Sequence, residues 1–198
     1  MEIYDIIHGN ITIDSLAKRI IDTEEFQRLR SIKQLGCCNY VFPSATHTRF
    51  EHSIGVYHLA CKYIEILNQE EEYYNETESK CVKIAALIHD LGHGPYSHLF
   101  DELFDEEKHH EYRSIRIFKH IDKKYNFGFM EEEIEMISMI IHPCKEIPTD
   151  KKYIYQIVSN SNGLDVDRFD YIMRDIKMTG LNYGIEYERI MNHSKITD

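Results

Sequence analysis

A stripe of apolar residues at helical spacing leads directly into an adjacent histidine and aspartate. The stripe consists of Cys81, Ile84, Ala85 and Ile88. It predicts a buried helix that runs up to His89-Asp90 and ends at Gly92. Adjacent helical residues point about 100° apart, so both side chains enter one cavity only where the last turn loosens. An imidazole and a carboxylate together make a good partial site for a divalent transition metal.

Helical periodicity dominates the rest of the chain. Spacings of three and four between apolar residues predict further helices over 50–67, 96–104, 115–121, 134–141, 150–160 and 165–178. Within 96–104 the pattern places Leu99, Phe100 and Leu103 on the buried side. The beginning differs, since Ile3 to Ile13 predicts a short hairpin or extended arm, and 39–42 also predicts extended chain. We therefore expect an all-α fold with a short N-terminal hairpin or arm.

Length, charge and cysteine content restrict the class of protein. A chain of 198 residues is long enough for one domain with a real core. It contains neither a secretory signal nor an apolar stretch of the roughly 20 residues that span a bilayer. Five cysteines without zinc-ribbon spacing indicate reduced thiols and an intracellular location, cytoplasm or nucleus. The net charge of −11 argues against nucleic-acid or membrane-surface partners.

His52 and Asp167 are the candidates for completing a metal site with His89 and Asp90. A lone histidine beside an apolar stripe is more often an ordinary core residue, but the doublet and Asp167 favour ligation. Two imidazoles and two carboxylates suit one divalent metal, with Mn, Fe, Zn, Ni or Mg as candidates. Open positions would take water or a phosphate oxygen.

A dense group of titratable residues follows the doublet. A hydrolase needs a proton donor for its leaving group, and His98 or His110 would serve. A neighbouring acid, such as Asp101 or Glu111, would fix the tautomer of the histidine. We assign no role to His109, His120 and His142, which have no such neighbours.

Basic residues and the helix over 165–178 provide further candidates. Arg28, Arg30, Lys33 and Arg49 form an early basic cluster suited to an anion, and Arg49 lies one helical turn before His52. On the later helix, Asp170 and Arg174 have the spacing of an ordinary i, i+4 ion pair, and we interpret them so.

The order His52, His89-Asp90, Asp167 resembles the signature of the HD-domain metal-dependent phosphohydrolases. Segments 26–36, 49–53, 89–98 and 165–175 further resemble the dNTP triphosphohydrolases. The likeness covers almost the whole chain, and 27–52 is specific to the subgroup that joins a sterile-alpha-motif domain to the HD domain. It implies hydrolysis of dNTPs to deoxynucleoside and inorganic triphosphate, by attack of a metal-bound water or hydroxide on the α-phosphorus.

The resemblance also implies roles for individual residues. The implied metal ligands are His52, His89, Asp90 and Asp167. The implied proton donor to the leaving 5′-oxygen is His98, with a supporting network of His110, Asp101 and Glu111. The implied substrate contacts are Gln34, Leu35, Arg49, Arg168, Tyr171 and Asp175. A possible activator-nucleotide site would involve Asp22, Gln27, Arg30, Val41, Phe42 and Arg189.

The chain departs from this family at its end. It stops at Asp198, before the helices that in these enzymes complete the nucleotide pocket and build a tetramer. We expect a single HD catalytic core over 1–198 that lacks the C-terminal lobe, and a homo-oligomer is its candidate assembly. Two alternatives stay open: an HD-type nucleoside 5′-monophosphate phosphohydrolase, and a truncated, weakly active nucleotide-binding HD subunit.

Overall fold

The computed structural model describes residues 1–69, 71, 73–103, 109–143, 151–160 and 163–196. Over these residues it contains one antiparallel hairpin and nine α-helices. The strands are β1 (Glu2–Asp5) and β2 (Gly9–Thr12); the helices are α1 (Ser15–Ile21), α2 (Glu24–Gln27), α3 (Arg49–Leu67), α4 (Glu76–Ile88), α5 (His98–Leu103), α6 (His110–Tyr125), α7 (Glu131–Ile141), α8 (Val166–Thr179) and α9 (Tyr187–Asn192). None of the described helices combines the length and apolarity needed to cross a bilayer. The prediction of an all-α fold with an N-terminal hairpin is confirmed.

Helix α3 is the centre of the fold. It packs against α4 on one side and α8 on another, and α4 packs in turn on α7. The apolar stripe predicted for α3 is buried at Phe50, Ile54, Tyr57 and Ile64. Thr48 and Glu51 form a capping box that fixes where α3 begins. Because α3 lies between α4 and α8, polar residues on its first turns face the nearby ends of both.

The N-terminal hairpin packs onto this helical core. Strands β1 and β2 pair from Glu2 opposite Thr12 to Asp5 opposite Gly9. Ile11 and Ile13 are buried in the common core, which fixes the hairpin to the helices. The turn between the strands therefore lies against the body of the protein.

Two local predictions are wrong, and a third holds over a shorter range. Residues 39–42 are not extended, because Cys38–Tyr40 form a 3-10 helix closed by Val41 N–H donating to Cys38 O at 3.0 Å. Leu99 and Leu103 are 51% and 69% exposed, since α5 is too short to present a continuous apolar face. The short helix predicted over 150–160 is confined to Lys152–Gln156, where it is a 3-10 helix, and residue 150 lies outside the described residues.

Candidate metal centre and adjoining cavity

The structure brings together the four residues predicted as metal ligands. His52 lies on α3, His89 and Asp90 follow the end of α4, and Asp167 lies in the first turn of α8, which Asp165 caps. His52 Nε2 is 3.0 Å from Asp167 Oδ1 and 3.3 Å from His89 Nε2. Asp90 is 3.4 Å from His52 Nε2 and 3.5 Å from His89 Nε2.

The separations among His52, His89 and Asp90, and from Asp167 to the two histidines, are 3.0–3.6 Å, which is close to those of ligands around one cation. Ligand atoms held about 2.1 Å from a common metal lie about 3.0–3.4 Å apart in octahedral or tetrahedral geometry. The donor set of two imidazole nitrogens and two carboxylate oxygens matches the preferences of first-row divalent metals. The His/Asp cluster is therefore compatible with a metal site, as the residue types alone suggested.

The turn after α4 explains how neighbouring residues share one cavity. Helical hydrogen bonding gives way to tighter turns, with Leu91 N–H donating to Ile88 O and His93 N–H donating to Asp90 O. Gly92 lies against α6, where a β-carbon would be 2.1 Å from the carbonyl oxygen of His110. A glycine at this position therefore lets the start of α6 approach the metal cluster.

The pKa values of the cluster follow from its opposite charges. Burial alone lowers the pKa of His52, but hydrogen bonds to Asp167 and Asp170 outweigh it and raise the pKa to about 10. Burial raises the pKa of Asp167, yet His52 and His89 hold it below its usual range. Burial likewise opposes the charge of Asp90, and the charges of nearby groups keep its pKa well below normal. The cluster thus stabilises positive charge between its side chains, whether protons on the histidines or a bound cation carry that charge.

Asp170 orients His52 from behind, a role that the sequence interpretation missed. The i, i+4 bond to Arg174 exists, but Asp170 is fully buried and also accepts a hydrogen bond from His52 Nδ1 at 2.8 Å. A carboxylate on Nδ1 fixes the tautomer and presents Nε2 to the metal position. The predicted i, i+4 ion pair is therefore confirmed, but the interpretation was incomplete, because the spacing of the pair does not reveal that it is buried behind His52.

A stacked group of histidines lies next to the metal cluster. His110 Nδ1 is 2.9 Å from Asp101 Oδ2, and Arg113 binds the same aspartate. Glu111 Oε2 is 3.5 Å from the same nitrogen. The ring of His93 stacks on His110 with centroids 3.8 Å apart, and the exposed His98 ring lies 5.5 Å from His110. The residues predicted to form a proton network thus lie next to one another, and Asp101 is the acid closest to His110.

His93 links this group to the metal cluster and was assigned no role from the sequence. Its Nε2 is 3.2 Å from Asp90 Oδ1, but neither ring nitrogen makes an aligned hydrogen bond within the described residues. The two atoms are close, but the angle between them is unfavourable for a hydrogen bond. Burial outweighs the attraction of Asp90 and lowers the pKa of His93 to about 4, so the ring is neutral at pH 7.

A cavity of about 350 Å³ opens beside both clusters. It is lined by Gln34, Leu35, Arg49, Asp90, His93, His98, His110, Asp167, Tyr171 and Asp175. His52 and His89 lie beneath its floor, and Asp101 and Glu111 contact His110. Arg168 is exposed, with its guanidinium near Gly163, and does not line this cavity.

One end of the cavity carries hydrogen-bonding groups with incomplete partners. Gln34 is buried, and its Oε1 makes no hydrogen bond within the described residues. Asp175 Oδ1 is 2.7 Å from Nε2 of the buried His47. His47 was missed by sequence reasoning, because it belongs to no motif and meets Asp175 only through the packing of the fold.

The early basic cluster has different partners from those predicted. Arg28 donates to the carbonyl oxygens of Leu91 and His93, which holds the turn after α4 from outside. Arg30 stacks 3.5 Å from the ring centroid of Phe50. Lys33 and Arg30 do not line the cavity. Only Arg49 does, where it donates to Asp90.

The predicted activator residues lie at the surface. Gln27 is half-buried, donates to Ile21 O and accepts from Arg30 Nε, whereas Asp22 and Arg30 are exposed. Val41 and Phe42 are exposed in the loop before α3, and Arg189 is exposed on α9. Nucleotide binding by this set stays a prediction.

Comparison with known proteins agrees with this geometry. Residues 49–175 match the HD domain family, a span that begins at Arg49 and ends at Asp175. The four ligand-type residues of the metal cluster all fall within it. The chain therefore belongs to the HD domain family.

Three relatives show which proteins with an HD domain this chain is similar to. The deoxynucleoside triphosphate triphosphohydrolase SAMHD1 homolog of Dictyostelium discoideum is 43% identical over 99% of this chain and 40% of its own length. SAMHD1 of Homo sapiens, of the same description, is 39% identical over 99% of this chain and 36% of its own length. The HD domain-containing protein L394 of Acanthamoeba polyphaga mimivirus is 46% identical over 94% of this chain and 45% of its own length. The chain thus spans less than half of each relative.

Proposed function

We propose that this chain hydrolyses deoxynucleoside triphosphates to the deoxynucleoside and inorganic triphosphate. The observation that carries the proposal is the cavity that joins the metal cluster, the histidine network and the Gln34–Asp175 end. Its volume of about 350 Å³ is in the range of small-ligand sites. The similarity to relatives described as dNTP triphosphohydrolases supports the same reaction.

The metal end of the cavity would hold the phosphates. His52, His89, Asp90 and Asp167 would bind one divalent cation, whose identity among Mn, Fe, Zn, Ni and Mg stays open. When bound, the cation supplies Lewis-acid chemistry by polarising water and a phosphate oxygen. Arg49, which donates to Asp90 in the free protein, lies at the cavity wall where its remaining N–H groups would meet a phosphate.

The histidine network would supply the proton that the leaving group needs. Water would add to the α-phosphorus and release one proton to solvent as the bond from phosphorus to the 5′-oxygen breaks. His98 would give the leaving 5′-oxygen a proton. His110 lies 5.5 Å from His98 between ring centroids, and Asp101 holds its Nδ1, so it would return a proton toward His98. Glu111 lies near the same nitrogen and supports that path.

The opposite end of the cavity would hold the sugar. Gln34 Oε1 has no partner among the described residues and would accept a hydrogen bond from the 3′-hydroxyl, next to Asp175. Leu35 would pack under the ring, where a 2′-hydroxyl would be crowded. Tyr171 lines the same wall, and Arg168 would reach the phosphates only after moving from its place beside Gly163.

A product assay tests the proposal. The purified chain is incubated with each of the four dNTPs, with and without GTP, and with each candidate metal in turn. Release of inorganic triphosphate supports the proposal, and Asp167→Ala should abolish it. His120→Ala, a change at a side chain 66% exposed, is the matched control and should keep it.

The assay also separates the alternatives. Orthophosphate release from a deoxynucleoside monophosphate, without triphosphate release from dNTPs, would identify an HD-type nucleoside monophosphate hydrolase. Nucleotide binding without turnover would identify a nucleotide-binding HD subunit. Either result contradicts the proposed reaction.

A further inference from the structure

The turn of the N-terminal hairpin reaches the back of the metal cluster. His8 Nε2 lies 2.7 Å from Asp170 Oδ1, and both side chains are buried, at 1% and 0% exposure. Asp5, from the end of β1, accepts from Arg174 Nη1 at 2.8 Å in an equally buried contact. Two residues of one hairpin thus bind the two residues of α8 that lie behind His52.

These contacts fill the hydrogen-bonding positions of the Asp170 carboxylate. Oδ1 accepts from His8 and from Arg174 Nη2, while Oδ2 accepts from His52 Nδ1 and from Arg174 Nε. A carboxylate offers about four such positions, so none is left for water. The orientation of Asp170, and through it that of His52, is fixed by donors from three separate elements.

Tyr187 of α9 sets the direction of the contact from His8. Its hydroxyl lies 3.3 Å from His8 Nδ1. Donation by this hydroxyl leaves the N–H of His8 on Nε2, where it faces Asp170. A chain of hydrogen bonds then runs from Tyr187 through His8 and Asp170 to His52, whose Nε2 points at the metal position.

We infer that His8 is a positioning residue for the metal ligand His52, so that the N-terminal hairpin is part of the metal site. The inference rests on the proposed function insofar as the cluster binds a metal. Without His8, Asp170 Oδ1 keeps only the bond from Arg174, and the buried carboxylate loses one of its neutralising donors. Loss of such an outer hydrogen bond typically weakens metal affinity about 10–100-fold.

Metal affinity of the full chain, measured by competition with a chelator, tests the inference. Mn²⁺ and Zn²⁺ are the probes, and circular dichroism and the thermal midpoint report the fold. His8→Phe keeps an aromatic ring but removes the donor, and we expect about 10–100-fold weaker affinity. His8→Gln restores an N–H donor and should recover part of the loss, which a merely structural role of the ring would not predict.

His58→Phe is the matched control. His58 lies on α3 with its ring centroid 5.3 Å from that of His8, and within the described residues it makes no hydrogen bond to Asp170. Its metal affinity should equal that of the unmodified chain. An equal loss in His58→Phe and His8→Phe would overturn the inference, because general loosening would then explain both.

Unchanged affinity in a folded His8→Phe protein would also overturn it. If His8→Phe does not fold, Tyr187→Phe decides, since it keeps His8 and removes only the hydroxyl at 3.3 Å. We expect a smaller but measurable loss of affinity there, and no loss would overturn the inference. The product assay on the unmodified chain judges the proposed reaction separately, because metal affinity is measured without nucleotide.

Discussion

Gly55 of α3 lies directly against the carboxylate of Asp170 on α8. A β-carbon at position 55 would be 1.9 Å from Asp170 Oδ1 and 2.6 Å from Arg174 Nη2. Gly55→Ala should therefore force the buried pair apart and destabilise the protein by about 1–3 kcal/mol, as overpacking typically does. Urea unfolding measures the loss, and the metal content of the purified variant should fall with it.

Ser53→Ala is the control for this change. Ser53 is buried on the same helix, and its hydroxyl makes no hydrogen bond within the described residues. Removing that hydroxyl should leave stability unchanged or slightly higher. A Gly55→Ala protein as stable as Ser53→Ala would contradict the close approach of the two helices.

Substituting ligand residues of the metal cluster should remove the bound metal. His89→Ala and Asp167→Ala each remove one of four converging ligand atoms, so both purified proteins should lose bound metal after dialysis. Elemental analysis by mass spectrometry measures this, with His120→Ala as the surface control. Full metal content in both ligand variants would show that the cluster is not the binding site.

Much of the fold was predictable because α3 and α4 bury one continuous stripe each. The stripe of α3 runs through about five turns and that of α4 through about two, and such repetition predicts a helix well. The hairpin was visible as alternation around a turn. The segment at Cys38–Tyr40 and the six residues of α5 are too short for a period to be defined. Local hydrogen bonding and neighbouring elements decide such segments.

The candidate site likewise has a part that the sequence predicts and a part that it does not. His52, His89, Asp90 and Asp167 were predictable because few reasons other than ligation place those residue types in such a pattern. Their supporting residues were not, since Asp170 accepts from His8 across 162 positions of sequence and His47 meets Asp175 across 128. Contacts between residues so far apart in the sequence depend on how the hairpin and the helices pack together.

His98 should be needed for turnover and dispensable for the metal. Its ring lines the cavity, 5.3 Å from that of His93, and it is not among the four ligand residues. General acid catalysis typically contributes about 10²–10⁴-fold, so His98→Ala should lose that much turnover and keep its metal and fold. Near-normal turnover would remove His98 from the mechanism, and loss of metal would make it a ligand.

The stability of the metal-free protein should fall as the pH drops from 6.5 to about 4. Burial, with His8 and Lys62 as lesser causes, lowers the pKa of His58 from 6.5 to about 4, against the opposing charges of Asp5 and Asp170. Between these values the unfolded chain binds a proton at His58 that the native protein does not, which favours unfolding as the pH falls. Above pH 6.5 His58 is neutral in the native and the unfolded protein, so it no longer makes stability depend on pH.

His58→Gln removes this proton uptake and should make the loss of stability shallower between pH 6.5 and 4. Urea unfolding in the presence of a chelator, repeated across this pH range, measures the slope. His120→Gln changes a side chain that is 66% exposed and should leave the slope as it is. Identical slopes for the His58→Gln and unmodified proteins would show that His58 titrates normally in the fold.

Sugar selectivity tests the opposite end of the cavity. Leu35 lines the cavity and follows Gln34 in sequence, and the proposed function places the sugar against it. An added 2′-hydroxyl should then be crowded, and dGTP should be turned over more efficiently than GTP. An apolar pocket rejects an extra hydroxyl by about 10²-fold at most, so we expect a kcat/KM ratio of about 10–100. Leu35→Ala should bring that ratio toward one, because it opens room for the hydroxyl. Leu103→Ala, the same change at a side chain 69% exposed, should leave the ratio unaltered. Equal kcat/KM for dGTP and GTP in the unmodified chain would contradict the placement of the sugar at Leu35.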